Sequence, residues 1–190
     1  MDKLKQIKLN AIVAKILHNT KIKKYGLSRS IFSFISISIP IIITAIMFFS
    51  KGSDTESLVS IVSFIVSIGV VLWGIVMLIA NIDEKYFSHK IQASKNIDVA
   101  NEAENILGAR DLPQETVQWF TKYSSQIDEK DNEILNGIKE DKKREAYRNA
   151  LKEFEPGNHE IKCPICGKSP WKYNPGNCQL CGNTMEETNV

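Results

Sequence analysis

Two long uncharged runs, the basic residues that flank them and two C-x2-C pairs near the C-terminus predict an all-α membrane protein. Its parts are a two-helix transmembrane hairpin, a helical cytoplasmic segment and a small C-terminal zinc ribbon. Ile31–Phe49 is 19 residues without a charge, and Leu58–Ala80 is 23. All 4 cysteines lie between Cys163 and Cys181. The predicted order is a basic amphipathic N-terminal helix (1–30), the hairpin (31–80, with spans 31–49 and 58–80), a cytoplasmic helical region (81–155) and the four-cysteine ribbon (156–190).

The spans follow from length and transfer energy. At 1.5 Å per residue the two runs reach roughly 28 and 34 Å, enough for a hydrocarbon core of about 30 Å. Leu58–Ala80 carries 15 Leu, Ile, Val or Phe residues. At about −0.3 to −0.6 kcal/mol each they favour insertion by roughly 4 to 9 kcal/mol before the offset from the serines and glycines. Ile31–Phe49 has 12 such residues and is the weaker span, because Ser33, Ser36, Ser38, Pro40 and Thr44 interrupt it. A cleaved signal peptide fits poorly: the run starts thirty residues in, is longer than a usual apolar region, and lacks a small-x-small cleavage site followed by an exported domain.

Charge sets the expected orientation. Residues 1–30 hold 8 Lys or Arg against the single acid Asp2, the connection KGSDTES holds only Lys51, and Lys85, Lys90 and Lys95 follow the second run. Basic residues stay on the cytoplasmic side. Both termini are therefore expected in the cytoplasm, a reducing compartment where paired cysteines bind metal more often than they form disulfides.

Residues 3–24 read as an amphipathic helix with Leu4, Ile7, Ala11 and Ala14 near one face. Such a helix either lies on the anionic inner leaflet or packs on the later helices. After the second run, Ile82, Tyr86, Ile91, Ile97, Ala100, Ala103 and Leu107 recur at roughly helical spacing, so the second membrane helix is expected to continue, with no break or nearly none, to Leu107 with Gly108 as its cap. DLPQ restarts a helix, with Asp111 as cap and Val117, Phe120 and Tyr123 inward. A last helix is expected from about Asp131 to Phe154, with Leu135, Ile138, Tyr147, Ala150, Leu151 and Phe154 inward and KEDKKRE as a solvated face.

The cysteines carry the clearest chemistry. A tetrahedral zinc ion takes four thiolates, and each C-x2-C turn delivers two of them. Cys163, Cys166, Cys178 and Cys181 are the predicted zinc ligands, with Gly167 and Gly182 relieving the two turns. A segment of this size cannot build an adequate core, so the metal is needed for folding. In the eleven-residue excursion, Trp171, Lys172 and Tyr173 beside Lys168 either stack bases of a nucleic acid or cover the small ribbon core.

Catalytic motifs are missing: there is no phosphate-binding glycine loop, no H-E-x-x-H and no G-x-S-x-G. His18, His89 and His159 are scattered and show no partner carboxylate in the sequence. No enzyme is expected. In the spans, Ser33, Ser36 and Thr44, and Ser60, Ser63 and Ser67, recur at helical intervals. Each set marks a face for close helix packing or, in a ring of copies, for lining a polar passage.

This order of parts resembles the SLATT two-transmembrane effectors of bacterial conflict systems. The ribbon, with CPICG and CQLCG, and the preceding REAYRNALKEF more narrowly resemble the mobile-element proteins named for a C-x2-C-x11-C-x2-C pattern. The resemblance implies a pore-forming effector of antiviral defence that assembles as a homo-oligomer and permeabilises the inner membrane. It would be triggered by a sensor protein, such as a defence-associated reverse transcriptase or a nucleotide-second-messenger synthase. A membrane-anchored adaptor, whose ribbon recruits nucleic acid or a protein, is the alternative.

Overall fold

The computed structural model describes residues 3–109 and 111–185, so the ends of the predicted N-terminal helix and ribbon (1–2 and 186–190) lie outside the described residues. Five helices carry the chain: α1 (Lys3–Ser50), α2 (Glu56–Ile79), α3 (Ile82–Gly108), α4 (Gln114–Ile134) and α5 (Glu140–Phe154). The chain divides into two units, Met1–Lys21 with His89–Val190, and Ile22–Ser88.

In the first unit the start of α1 is buried nearly all round. Leu9 and Ile12 join Tyr147, Ala150, Leu151 and Phe154 of α5 in one cluster. Ile7 and Ala11 meet Val99, Ala103 and Ile106 of α3 with Phe120 and Ile127 of α4, and Ala14 and Leu17 meet Leu135 and Ala146. Of the two alternatives for this basic helix, the structure has it packed on the later helices. Its lysines find partners there: Lys8 Nζ donates to Phe154 O (3.0 Å) and pairs with Glu104 (3.3 Å), and Lys15 pairs with Glu153. Each large apolar side chain buried this way stabilises by about 1.5–3 kcal/mol.

Several boundaries differ from expectation. The N-terminal helix and first span are one uninterrupted helix of 48 residues, because nothing before Pro40 forbids it. The second span does not run on into α3. It ends at Ala80, Asn81 takes φ 50°, and Lys85 Nζ donates to the free carbonyl of Ala80 (2.7 Å). Asparagine is among the few residues that enter the left-handed region readily. Asp111 makes no cap; Pro113 occupies the position before α4 without a side-chain hydrogen bond. The predicted last helix is two, broken by a turn at 135–137.

The inward face of α3 also differs. Ile91 and Ile97 are exposed, while His89, Gln92, Ala93, Asn96, Val99, Ala103 and Ile106 are buried. Three of these inward positions are polar, so the apolar pattern, which places Ala103 correctly, puts Ile91 and Ile97 on the wrong side.

The second unit is an antiparallel pair formed by the later part of α1 and by α2, both long and apolar enough to cross a membrane. Its most apolar stretches are 0% and 6% buried, and Phe34, Phe49, Leu78 and Ile79 stand largely exposed. The helices meet closely where Gly74 faces the Phe32 ring. At one end of the pair Arg29 bonds Asp83 (2.9 Å) and lies 5.1 Å from the Phe87 ring centre.

Candidate metal centre

The two C-x2-C pairs fold into knuckles with one shared hydrogen-bond pattern. Cys163 O accepts from Gly167 N–H (2.9 Å), while Cys163 N–H donates to Lys168 O (2.9 Å). Cys178 O likewise accepts from Gly182 N–H (2.8 Å), and Cys178 N–H donates to Asn183 O (2.9 Å). Gly167 and Gly182 have φ of 67° and 71°, where a Cβ costs roughly 1–2 kcal/mol. That cost is why glycine follows each second cysteine. The excursion between the knuckles closes through an isolated antiparallel bridge, Pro175 to Asn183, and no β-strand forms among the described residues.

The sulfurs converge. Cys163 Sγ and Cys178 Sγ are 3.8 Å apart, Cys166 Sγ and Cys181 Sγ are 3.4 Å apart, and all four lie within 4.8 Å of one another. None is disulfide-bonded. A tetrahedral ion with bonds of about 2.3 Å to sulfur sets neighbouring sulfurs roughly 3.8 Å apart, so the donor set and its spacing fit a metal. Burial pushes the Cys163 and Cys181 thiols up. At Cys178 burial also opposes the thiolate, but hydrogen bonds from the backbone amides of Cys181 and Leu180 and from the Cys181 and Cys166 thiols outweigh it, drawing the group down to about 7. One sulfur is thus already poised as a thiolate near neutral pH.

The ribbon is docked on the helices. Cys163, Cys178 and Cys181 belong to the same buried cluster as Leu9, Ile12, Tyr147 and Leu151. Arg148 donates to Cys181 O and lies 3.7 Å from the centre of the Tyr173 ring, and Lys152 sits over Trp171 at 5.4 Å. Trp171 Nε1–H donates to His159 Nδ1. The aromatic rings considered for base stacking therefore each carry a cation from α5. Arg144 departs from the solvated face expected of KEDKKRE, because its Nε is buried. Burial pushes the Tyr147 hydroxyl up to about 12, helped by Cys163, Cys181 and Cys178. Three buried donors around the cysteines, Arg144 Nε, Tyr147 Oη and Asn183 Nδ2, have no hydrogen-bond partner among the described residues.

The model of the mobilome CxxCx(11)CxxC protein family matches residues 1–184, helices and ribbon together. The chain belongs to this family. The spacing in the family's description is that of Cys163, Cys166, Cys178 and Cys181. No curated protein and no solved structure matches the chain.

This mobilome CxxCx(11)CxxC protein also holds a buried polar cluster that the sequence did not reveal. His18 and His89, scattered in the chain, approach Nδ1 to Nδ1 at 2.8 Å, and His18 Nε2 meets Asp131 Oδ1 at 2.8 Å. Gln92 Nε2 donates to the same oxygen (3.2 Å), and Asn96 Nδ2 donates to Asp131 Oδ2 (2.7 Å). Since a carboxylate only accepts, His18 Nε2 carries the hydrogen on that side. Burial lowers His89 to about 4, with His18 and Lys21 adding to the effect and Asp131 opposing it. The cluster ties α1, α3 and α4 together. Beside it Asp128 is raised by burial and then by Asp131. The partners lie 71 and 113 residues from His18, and no local spacing marks them.

The hydroxyls of the apolar pair divide. Ser63 is buried and Ser36 half-buried with its Oγ enclosed, whereas Ser33, Thr44, Ser60 and Ser67 are exposed. Thr44 donates to Pro40 O (2.7 Å) and Ser67 to Ser63 O (2.8 Å), each returning its hydroxyl to its own helix.

Proposed function

We propose that this family member is a two-pass protein of the bacterial inner membrane, with both termini cytoplasmic and zinc held by Cys163, Cys166, Cys178 and Cys181. We read it as an effector of antiphage defence that oligomerises and permeabilises the membrane when a partner sensor triggers it. The observation that carries the membrane reading is the second unit. Its apolar helices cover almost none of their surface within one chain, and lipid or further copies would cover it at no desolvation cost. The effector reading adds the resemblance to SLATT proteins and the hydroxyls left on the exposed faces at Ser33, Ser60 and Ser67. The adaptor reading has its own support: Ser63 and Ser36 turn inward, as in a pair that only anchors.

One experiment separates the two. Ser63→Leu with Ser67→Leu keeps insertion favourable, since each Leu replaces a polar group at mid-span. The effector reading expects wild-type chain, triggered together with its genomic neighbours, to depolarise cells, and the double variant to reach the membrane without doing so. Unchanged membrane potential with triggered wild type establishes the adaptor instead. A reporter fused at Val190 that works only outside the inner membrane would overturn the orientation.

A further inference from the structure

The three partnerless donors beside the cysteines point one way. Buried donors without acceptors are rare, and each calls for an explanation. Among the described residues Tyr147 Oη, Arg144 Nε and Asn183 Nδ2 have hydrogens to give and no acceptor in hydrogen-bonding geometry, the thiol sulfurs included. Arg144 and Tyr147 share one face of α5 with Arg148 and Leu151, at spacings of three, four and seven, and that face meets the ribbon. A Cβ placed on Gly182, next to Cys181, would stand 3.2 Å from both Arg144 Cδ and Arg148 Nη1. Tyr147 is packed in the cluster that contains Cys163, Cys178 and Cys181.

Four thiolates around a divalent ion leave a net charge of −2. Such a centre presents sulfur acceptors and excess negative charge to its surroundings. Four thiols without a metal present neither in that measure. The donors and the two guanidiniums of α5 match the charged form.

We propose that α5 supplies the outer hydrogen-bonding shell of a tetrathiolate metal centre, with Tyr147 and Arg144 donating to its sulfurs and Arg148 fixing the second knuckle through Cys181 O. This rests on the metal reading of the cysteines. Tyr147 and Arg144 are positioning residues: they orient and stabilise ligands and do not touch the ion. It also ties metal occupancy to the docking of the ribbon on α5, and through Leu9 and Ile12 to α1.

The test uses the full chain in detergent. Wild type, Tyr147→Phe, Arg144→Gln and, as a control, Lys152→Gln are compared for metal content, zinc affinity by chelator competition, and the sulfur-to-metal charge-transfer band after cobalt substitution. Tyr147→Phe keeps the ring and removes only the donor. It should weaken zinc ~10–100-fold and shift the cobalt band, with Arg144→Gln acting in the same direction and Lys152→Gln doing neither. In the metal-free form Tyr147→Phe should be no less stable than wild type, because it deletes a group with no partner. A pure packing role would instead leave zinc affinity and the cobalt band unchanged, because phenylalanine keeps the ring contacts. Arg144→Gln, at a half-buried position, provides the measurement should the Phe variant not fold. Affinities within about twofold of wild type with an unshifted band overturn the outer shell while leaving the metal intact. Wild type that binds no zinc overturns the metal reading, and the shell with it.

Discussion

The two units use similar apolar residues in opposite ways. In the first, Leu9, Phe120, Ala150 and Leu151 are at most 2% exposed. In the second, Phe34, Leu78 and Ile79 are at least 71% exposed, although their helices are the more hydrophobic. The first unit also buries polar groups and satisfies most of them, with Asp131 receiving three side-chain donors. The second buries almost nothing, and the hydroxyls of Thr44 and Ser67 close onto its own backbone. What this difference teaches is that one chain can carry two surface chemistries: the first unit hides its apolar atoms, and the second leaves them outside.

The largest expected effect is at the metal centre. Cys178→Ser should abolish zinc binding and loosen the first unit, because a structural zinc site contributes on the order of 10 kcal/mol. The second unit should remain in the membrane fraction. Loss of both properties together would erase the division between the units.

Ile65→Arg tests the other side of the comparison. Ile65 is 62% exposed at the middle of α2. If lipid surrounds it, membrane insertion should worsen by about 3 kcal/mol, read as the inserted fraction in a glycosylation or fractionation assay. An exposed position in water would tolerate arginine with no measurable change.

Asp131→Ala should destabilise the first unit by about 3 kcal/mol in denaturant unfolding, since it leaves His18, Gln92 and Asn96 donors buried and unpaired. His89 adds a pH signature of definite sign. Its folded pKa of about 4 lies below the ordinary 6.5, so the unfolded chain takes up the proton first. The contribution is intact above 6.5 and is lost as pH falls through about 4. His89→Gln should flatten that part of the slope. The smallest effect is at Asp128, which forms no ion pair among the described residues and is repelled by Asp131. Asp128→Asn should raise stability by about 0.5 kcal/mol or less, as expected for relief of repulsion at a half-exposed site.

The sequence disclosed the apolar runs and the cluster of four cysteines because both signals are local. Nineteen or twenty-three uncharged residues suffice for one, and two-residue gaps between cysteines for the other. The inward side of α3 was illegible for the opposite reason. Gln92 and Asn96 donate to Asp131 on another helix and His89 meets His18 of α1, and no periodicity of apolar residues records such partners. Helix ends behaved alike: the break at Asn81 depends on a single positive φ and on Lys85 reaching back to Ala80, neither of which composition marks. The docking of the ribbon was only partly legible: Tyr147 is expected inward, but Arg144 lies in the KEDKKRE stretch expected to face water, and no pattern marks Arg148.

The matching knuckles have a kinetic consequence. Each is a two-sulfur pincer held open by its own backbone hydrogen bonds and by a glycine that no other residue replaces cheaply. An ion caught by one pincer meets the second as an intramolecular partner, at an effective concentration in the millimolar range for a short tether. Capture is then stepwise and fast in its second half. Release runs the same path backwards: a competing chelator must hold the ion while one pincer is open, before the other recaptures it. Exchange should therefore accelerate with chelator concentration and not merely with chelator strength, so that the centre keeps its ion against dilution yet surrenders it to a ligand that arrives in numbers.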